Sequence, residues 1–75
     1  MINLSIIGTS NIIIQHLKVL KKTKFNLIAI YSTRKDEAKT RNIARRYNIK
    51  KYFINFETFL EYSKNKKSNF LIAPR

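Results

Sequence analysis

The chain has no cysteine, one glycine, one proline and four acidic residues in 75 positions. Without cysteine there is no disulfide framework, no thiolate metal site and no cysteine nucleophile. No apolar run approaches the roughly 18 residues that a membrane-spanning helix needs, so no membrane partner is expected. The opening residues do not read as a secretory signal. No basic leader precedes the apolar stretch, and Asn3, Ser5, Thr9, Ser10 and Asn11 interrupt it. A cytoplasmic location is the expectation. A domain this small buries only about 60% of its unfolded surface, which leaves a thin stability margin.

The scarcity of acid against 16 Lys and Arg leaves a formal net charge of +12. A strongly basic domain is a candidate for binding phosphate polymers. Two features offer a plainer origin. Ile, Lys and Asn are abundant, and all three are written with A/T-rich codons. The cations are also spread along the chain, as in Lys18, Arg41, Arg45, Arg46, Lys50, Lys51 and Lys64. Most fall at predicted helix C-termini, where they suit the macrodipole.

With little Gly or Pro punctuation, the elements are read from periodicity. Apolar runs of strand length alternate with amphipathic segments of helix length, which implies α/β architecture with a parallel sheet. The first strand is expected over 3–7. A helix over 11–22 follows, with Ile13, Leu17 and Leu20 as its buried stripe. The run 26–31 is almost wholly apolar, as suits a strand covered on both faces. A second helix starts near Lys35, carrying Asp36 and Glu37 in its first turn and Arg45 and Arg46 in its last. Its core stripe is Thr40, Ile43, Ala44 and Tyr47, and Asn48 suits a left-handed C′ position. A short strand over 51–54 leads to Asn55, a cap for a third helix with Phe56, Phe59 and Leu60 on its apolar face. A fourth strand is expected over 69–73, closed by Pro74. The pattern β-α-β-α-β-α-β with right-handed crossovers gives the strand order 3-2-1-4. Two helices on one face and one on the other leave strand four thinly covered, an opening for self-association.

The chemistry concentrates where the first strand runs into Gly8-Thr9-Ser10-Asn11-Ile12. A phosphate-binding turn uses glycines so that the backbone and the following helix can approach a pyrophosphate closely. Gly8 stands at the first such position, Ser10 at the second and bulky Ile13 at the third. His16 is the sole histidine, and a lone histidine builds neither a metal site nor a triad; it is read as structural. Tyr47, Tyr52, Phe53, Phe56, Phe59 and Tyr62 are spaced for core packing in preference to base stacking.

Ordered along the chain, these segments resemble the N-terminal part of the glucose-fructose oxidoreductase, inositol dehydrogenase and rhizopine-catabolism (Gfo/Idh/MocA) family. Ile6-Ile7-Gly8-Thr9-Ser10-Asn11-Ile12, with His16-Leu17 beyond, is similar to that family's I-I-G-T-G-N-I and H-L. Ile30-Tyr31-Ser32 with Arg34 resembles its second-strand ending. Ile43-Ala44 with Tyr47-Asn48-Ile49 resembles its F-A-x-x-Y-G-I, Phe56 to Leu60 the helix after its third strand, and Leu71-Ile72-Ala73-Pro74 its I-A-T-P or I-A-S-P.

The resemblance implies an NAD(P)-binding, partial Rossmann-like domain of an oxidoreductase. Gly8, Thr9, Ser10, Asn11 and Ile12 would line the pyrophosphate, and Ser32 and Arg34 would face the adenosine ribose. No acid stands directly at the end of the second strand. Ser32, Thr33, Arg34 and Lys35 suit a 2′-phosphate, so NADP is expected over NAD. Asp36 and Glu37 are read as first-turn helix residues. The family's catalytic lysine and its substrate domain lie beyond the segment matched, so a cofactor-binding fragment without catalytic activity of its own is expected. A small basic module for nucleotide or nucleic acid, or a decayed reading frame, are the other readings left open.

Overall fold

The computed structural model describes residues 2–20 and 24–72. The sheet consists of β1 (Ile2–Ile7), β2 (Phe25–Tyr31), β3 (Lys51–Phe53) and β4 (Asn69–Ile72). All its pairings are parallel, in the order β3-β2-β1-β4. The helices are α1 (Asn11–Leu20), α2 (Glu37–Arg46) and α3 (Phe56–Asn65). The α/β class and the strand order are those the sequence implied. The expected helix end at Lys21 and Lys22, the strand end at Ala73, and Pro74 lie outside the described residues.

Each of β1 and β2 packs on both faces. One face carries Leu4, Ile6, Leu27 and Ile30, covered by Ile13 and Leu17 of α1 and by Ile43, Ala44 and Tyr47 at α2. The other carries Ile28 and Ala29 beneath Phe59 of α3. Strict alternation could not send Leu27 and Ile30 to the same face. The register explains it: Leu4 pairs with Leu27 but Ser5 pairs with Ala29, so Ile28 is an extra residue in β2. Such bulges are rare in parallel pairs, and this one lets a continuous apolar run serve both layers.

Four boundaries differ from the expectation, and two of them are single-residue extensions, β1 beginning at Ile2 and β2 at Phe25. The chain enters α2 through a 3-10 turn, Arg34–Asp36, in place of an α-helix starting at Lys35. The third strand stops at Phe53, one residue before the expected end. His16 is exposed on α1 and takes no part in the core. The helix ends carry clear chemistry. Asn55 caps α3, its Oδ1 accepting from Thr58 N at 3.0 Å. Asn48 has φ 57°, and Ile49 N donates to Ala44 O at 2.8 Å, closing α2 with a left-handed residue at C′. The same closure ends α3, with Lys67 at φ 51° and Ser68 N donating to Ser63 O at 2.9 Å.

Candidate functional site

In a parallel sheet all strand C-termini lie at one end, and ligands bind where the connections diverge. Here α1 leaves from β1 on one face, and β4 flanks β1 on the opposite side from β2. A cleft of about 490 Å³ opens at that end. Ile7 and Ile72 close it from β1 and β4, and Gly8, Thr9 and Ser10 form the turn beneath it. Tyr31, Ser32 and Thr33 come from the end of β2, and Asp36 and Lys39 from the entry to α2.

Gly8 sits at φ 111°, outside the range open to a residue with a Cβ, and its N–H donates to Tyr31 O at 2.9 Å. That bond ties the turn to β2, so the ends of both strands border one cleft. Ser32 N donates to Phe53 O at 3.1 Å and extends the tie to β3. The Ser10 hydroxyl folds back on α1 as its N-cap, with Oγ 3.5 Å from Ile13 N. That length is at the outer limit of a hydrogen bond. The first-turn amides are therefore only loosely covered by their own chain.

Thr9 and Ser32 are 7% and 6% exposed, and both border the cleft. Neither hydroxyl is bonded within the described residues, and neither is sealed from the surface. Both hydroxyls are therefore open to hydrogen bonding from the cleft, to water or to a polar guest.

Of the residues implied by the resemblance, Gly8, Thr9, Ser10 and Ser32 come together on this cleft. Asn11 and Ile12 do not: both are exposed in the first turn of α1 and do not line it. Arg34 is likewise exposed and outside the lining, whereas Asp36, two residues later, is half-buried within it. The 3-10 turn accounts for the exchange, because at three residues per turn positions 34 and 36 project about 120° apart. Ile13, at the third glycine position, is fully buried between α1 and the sheet. Consistent with that bulk, the backbone of α1 approaches no strand as closely as α2 and α3 approach β2.

Sequence reasoning missed Asp36 and Lys39 as cleft residues. The available signal was their position just after β2, at the start of the next helix. Among the described residues no group of three or more His, Cys, Asp or Glu is placed to hold a metal ion. Nor is any helix long and apolar enough to cross a membrane. No protein-family model matches this chain, and no curated protein or solved structure matches it either.

Proposed function

We propose that the cleft over Gly8-Thr9-Ser10 binds a nicotinamide dinucleotide, as the cofactor-binding part of an oxidoreductase resembling the Gfo/Idh/MocA family. The observation that carries this reading is the meeting, on one cleft, of the Gly8 turn at the start of α1 with the Thr9 and Ser32 hydroxyls, which are unbonded among the described residues. The pyrophosphate would lie along the first-turn amides of α1, displacing the long Ser10 cap, where the dipole favours negative charge. The ribose would lie towards Ser32 and Thr33. The role assigned to these residues is binding; none of them is assigned a step in hydride transfer.

The wall composition bears on which dinucleotide is preferred. From the sequence, Arg34 and Lys35 favour NADP. With half-buried Asp36 in the wall, Lys39 beside it exposed and Arg34 outside the lining, we favour NADH, because a carboxylate accepts from ribose hydroxyls and repels a 2′-phosphate. Fluorescence titration of the chain with NADH and NADPH tests both parts. Saturable NADH binding is expected, weaker NADPH binding, and a gain of about tenfold for NADPH in Asp36→Asn. No binding of either nucleotide up to millimolar concentration would remove the cofactor reading.

A further inference from the structure

A second surface lies at the opposite end of the molecule. In a parallel α/β fold every helix C-terminus falls at the end where the strands begin. Cations that are scattered in sequence are therefore collected in space. α1 contributes Lys18 from its last turn, α2 contributes Arg45 and Arg46, and α3 contributes Lys64. Lys24 immediately precedes β2, Lys50 and Lys51 lie at the start of β3, and Lys66 and Lys67 follow α3. All nine are exposed, and the acid nearest to them in sequence on a helix is Glu61, one turn before Lys64 in α3.

The other end is balanced. Arg34, Lys35 and Lys39 there face Asp36, Glu37 and Glu57 at the helix starts. The molecule is thus strongly polarised, with its positive charge at the pole away from the cleft.

The macrodipole explains why a single cation suits a helix end, but not this total. Each C-terminus carries about half a negative charge. Three of them offset about one and a half of the nine positive charges. Two of the cations are held close to one another: Lys51 of β3 and Lys66 beyond α3 place their Nζ atoms 5.5 and 5.9 Å from the same Tyr62 ring. Two ammonium groups drawn to one ring repel each other, and a shared anion relieves that repulsion.

We infer that this pole binds the phosphate backbone of duplex nucleic acid, without reading its sequence. A single strand would be gripped by stacking its bases on exposed aromatic rings; among the described residues the exposed ring nearest this pole, Phe70, is engaged by Phe59 at 5.9 Å. Tyr47 is 7% exposed, and Tyr52 and Tyr62 are half-buried. A lipid surface would want a continuous apolar helix stripe turned outward, whereas Ile13 and Leu17 of α1 face the core and the exposed apolar residues at this pole, Ile2 and Val19, stand on different elements. Asn48, Asn65 and Asn69, all exposed at the same pole, add amides able to donate to phosphate and sugar oxygens. The smallest extent of the molecule, 22 Å, corresponds to roughly six base pairs at about 3.4 Å each. The inference is independent of the dinucleotide reading, since the two sites occupy opposite ends.

Fluorescence anisotropy with two unrelated 20-base-pair DNA duplexes, from 50 to 200 mM KCl, tests it. Both duplexes are expected to bind within about twofold of each other, with a log–log salt slope of roughly −4 to −5, as for about five neutralised phosphates. Arg45→Glu with Lys64→Glu should lose at least tenfold, and Arg34→Glu with Lys35→Glu, an equal change in net charge at the other end, less than threefold. All four side chains are exposed, and circular dichroism checks that both variants fold. If one does not, the salt slope of the unaltered chain still decides. Saturating NADH should not displace the duplex. Equal losses in the two variants, a slope near zero, displacement by NADH, tighter binding of the single strand, or binding to phosphatidylserine vesicles without binding to duplex would each overturn the inference.

Discussion

The two faces of the sheet are built on different principles. The face under α1 and α2 is aliphatic, with Leu4, Ile6, Ile13, Leu17, Leu27 and Ile30 interleaved around Ile43 and Ala44. The face under α3 is aromatic and hydroxylic. Phe59 is fully buried there, with four other rings centred 5.5–6.1 Å from its own: Tyr31, Phe53, Phe56 and Phe70. Beside them runs a chain of hydroxyls. Ser63 and Ser5 lie 2.7 Å apart, Ser5 donates to Ser68 at 2.8 Å, and Ser68 donates to Asn69 O at 2.9 Å. Each hydroxyl has one proton, so the order closes only if Ser63 donates to Ser5.

One helix covers on this side what two cover on the other. The α3 side therefore depends on particular pairs of side chains, where the aliphatic side depends on area. Part of it is left open: Phe70 is 39% exposed, and Ile72, on the same face of β4 by alternation, is 65% exposed.

Truncating the centre of each face breaks the comparison most directly. Phe59→Ala should destabilise by about 3–5 kcal/mol. A domain of this length has only about 4–11 kcal/mol in total, so the change removes a large share of its stability. Leu17→Ala on the aliphatic face should lose less, about 2–3 kcal/mol, because α1 stands off the sheet and can settle into the gap. Urea midpoints read both; an equal loss would show that the faces do not differ in this way.

The next effect is that of the hydroxyl chain. Ser5→Ala leaves the buried Ser63 hydroxyl without its acceptor and should cost about 1–3 kcal/mol. Replacing Ser5 and Ser63 together by Ala should cost less than the sum of the single changes, since neither then leaves an orphan. Strict additivity in urea denaturation would mean that the chain carries no shared energy.

The smallest effect separates the two helix ends. Both close on a left-handed residue, but α2 uses Asn48 and joins Ala44 to Ile49, an apolar pair. By contrast α3 uses Lys67 and joins Ser63 to Ser68. A left-handed conformation is unfavourable by about 1–2 kcal/mol for most residues and less for Asn. Lys67→Gly should therefore stabilise by about 0.5–1 kcal/mol, while Asn48→Gly changes stability by a few tenths. The ranking of the two in thermal or urea unfolding is the test.

These contrasts show which parts of the molecule can be read from the sequence. The stripes of α1 and α2, the left-handed Asn48 and the Asn55 cap are local, since each follows from spacing or from the conformational preference of one residue. The β2 bulge is not local. Nothing in Phe25–Tyr31 by itself marks Ile28 as the extra residue, because the shift is defined only against β1. Lys67 was hidden for a similar reason: lysine has no preference for that conformation, which the Ser63–Ser68 closure imposes. At the cleft, Gly8, Thr9, Ser10 and Ser32 were legible from their places after two strands. Asp36 was not, because its direction depends on a single 3-10 turn.

The order of apolar and amphipathic segments determined the α/β class, the strand order and the position of the turn at Gly8, since periodicity and crossover handedness leave few alternatives. Charge is where the sequence alone was least informative. It shows cations at one helix end after another, each with a sufficient local reason. Only the parallel arrangement decided that these ends meet at one pole while the acids of the helix starts balance the other. The reason is geometric: sequence records the charge at each helix terminus, and tertiary structure sets how near those termini come to one another.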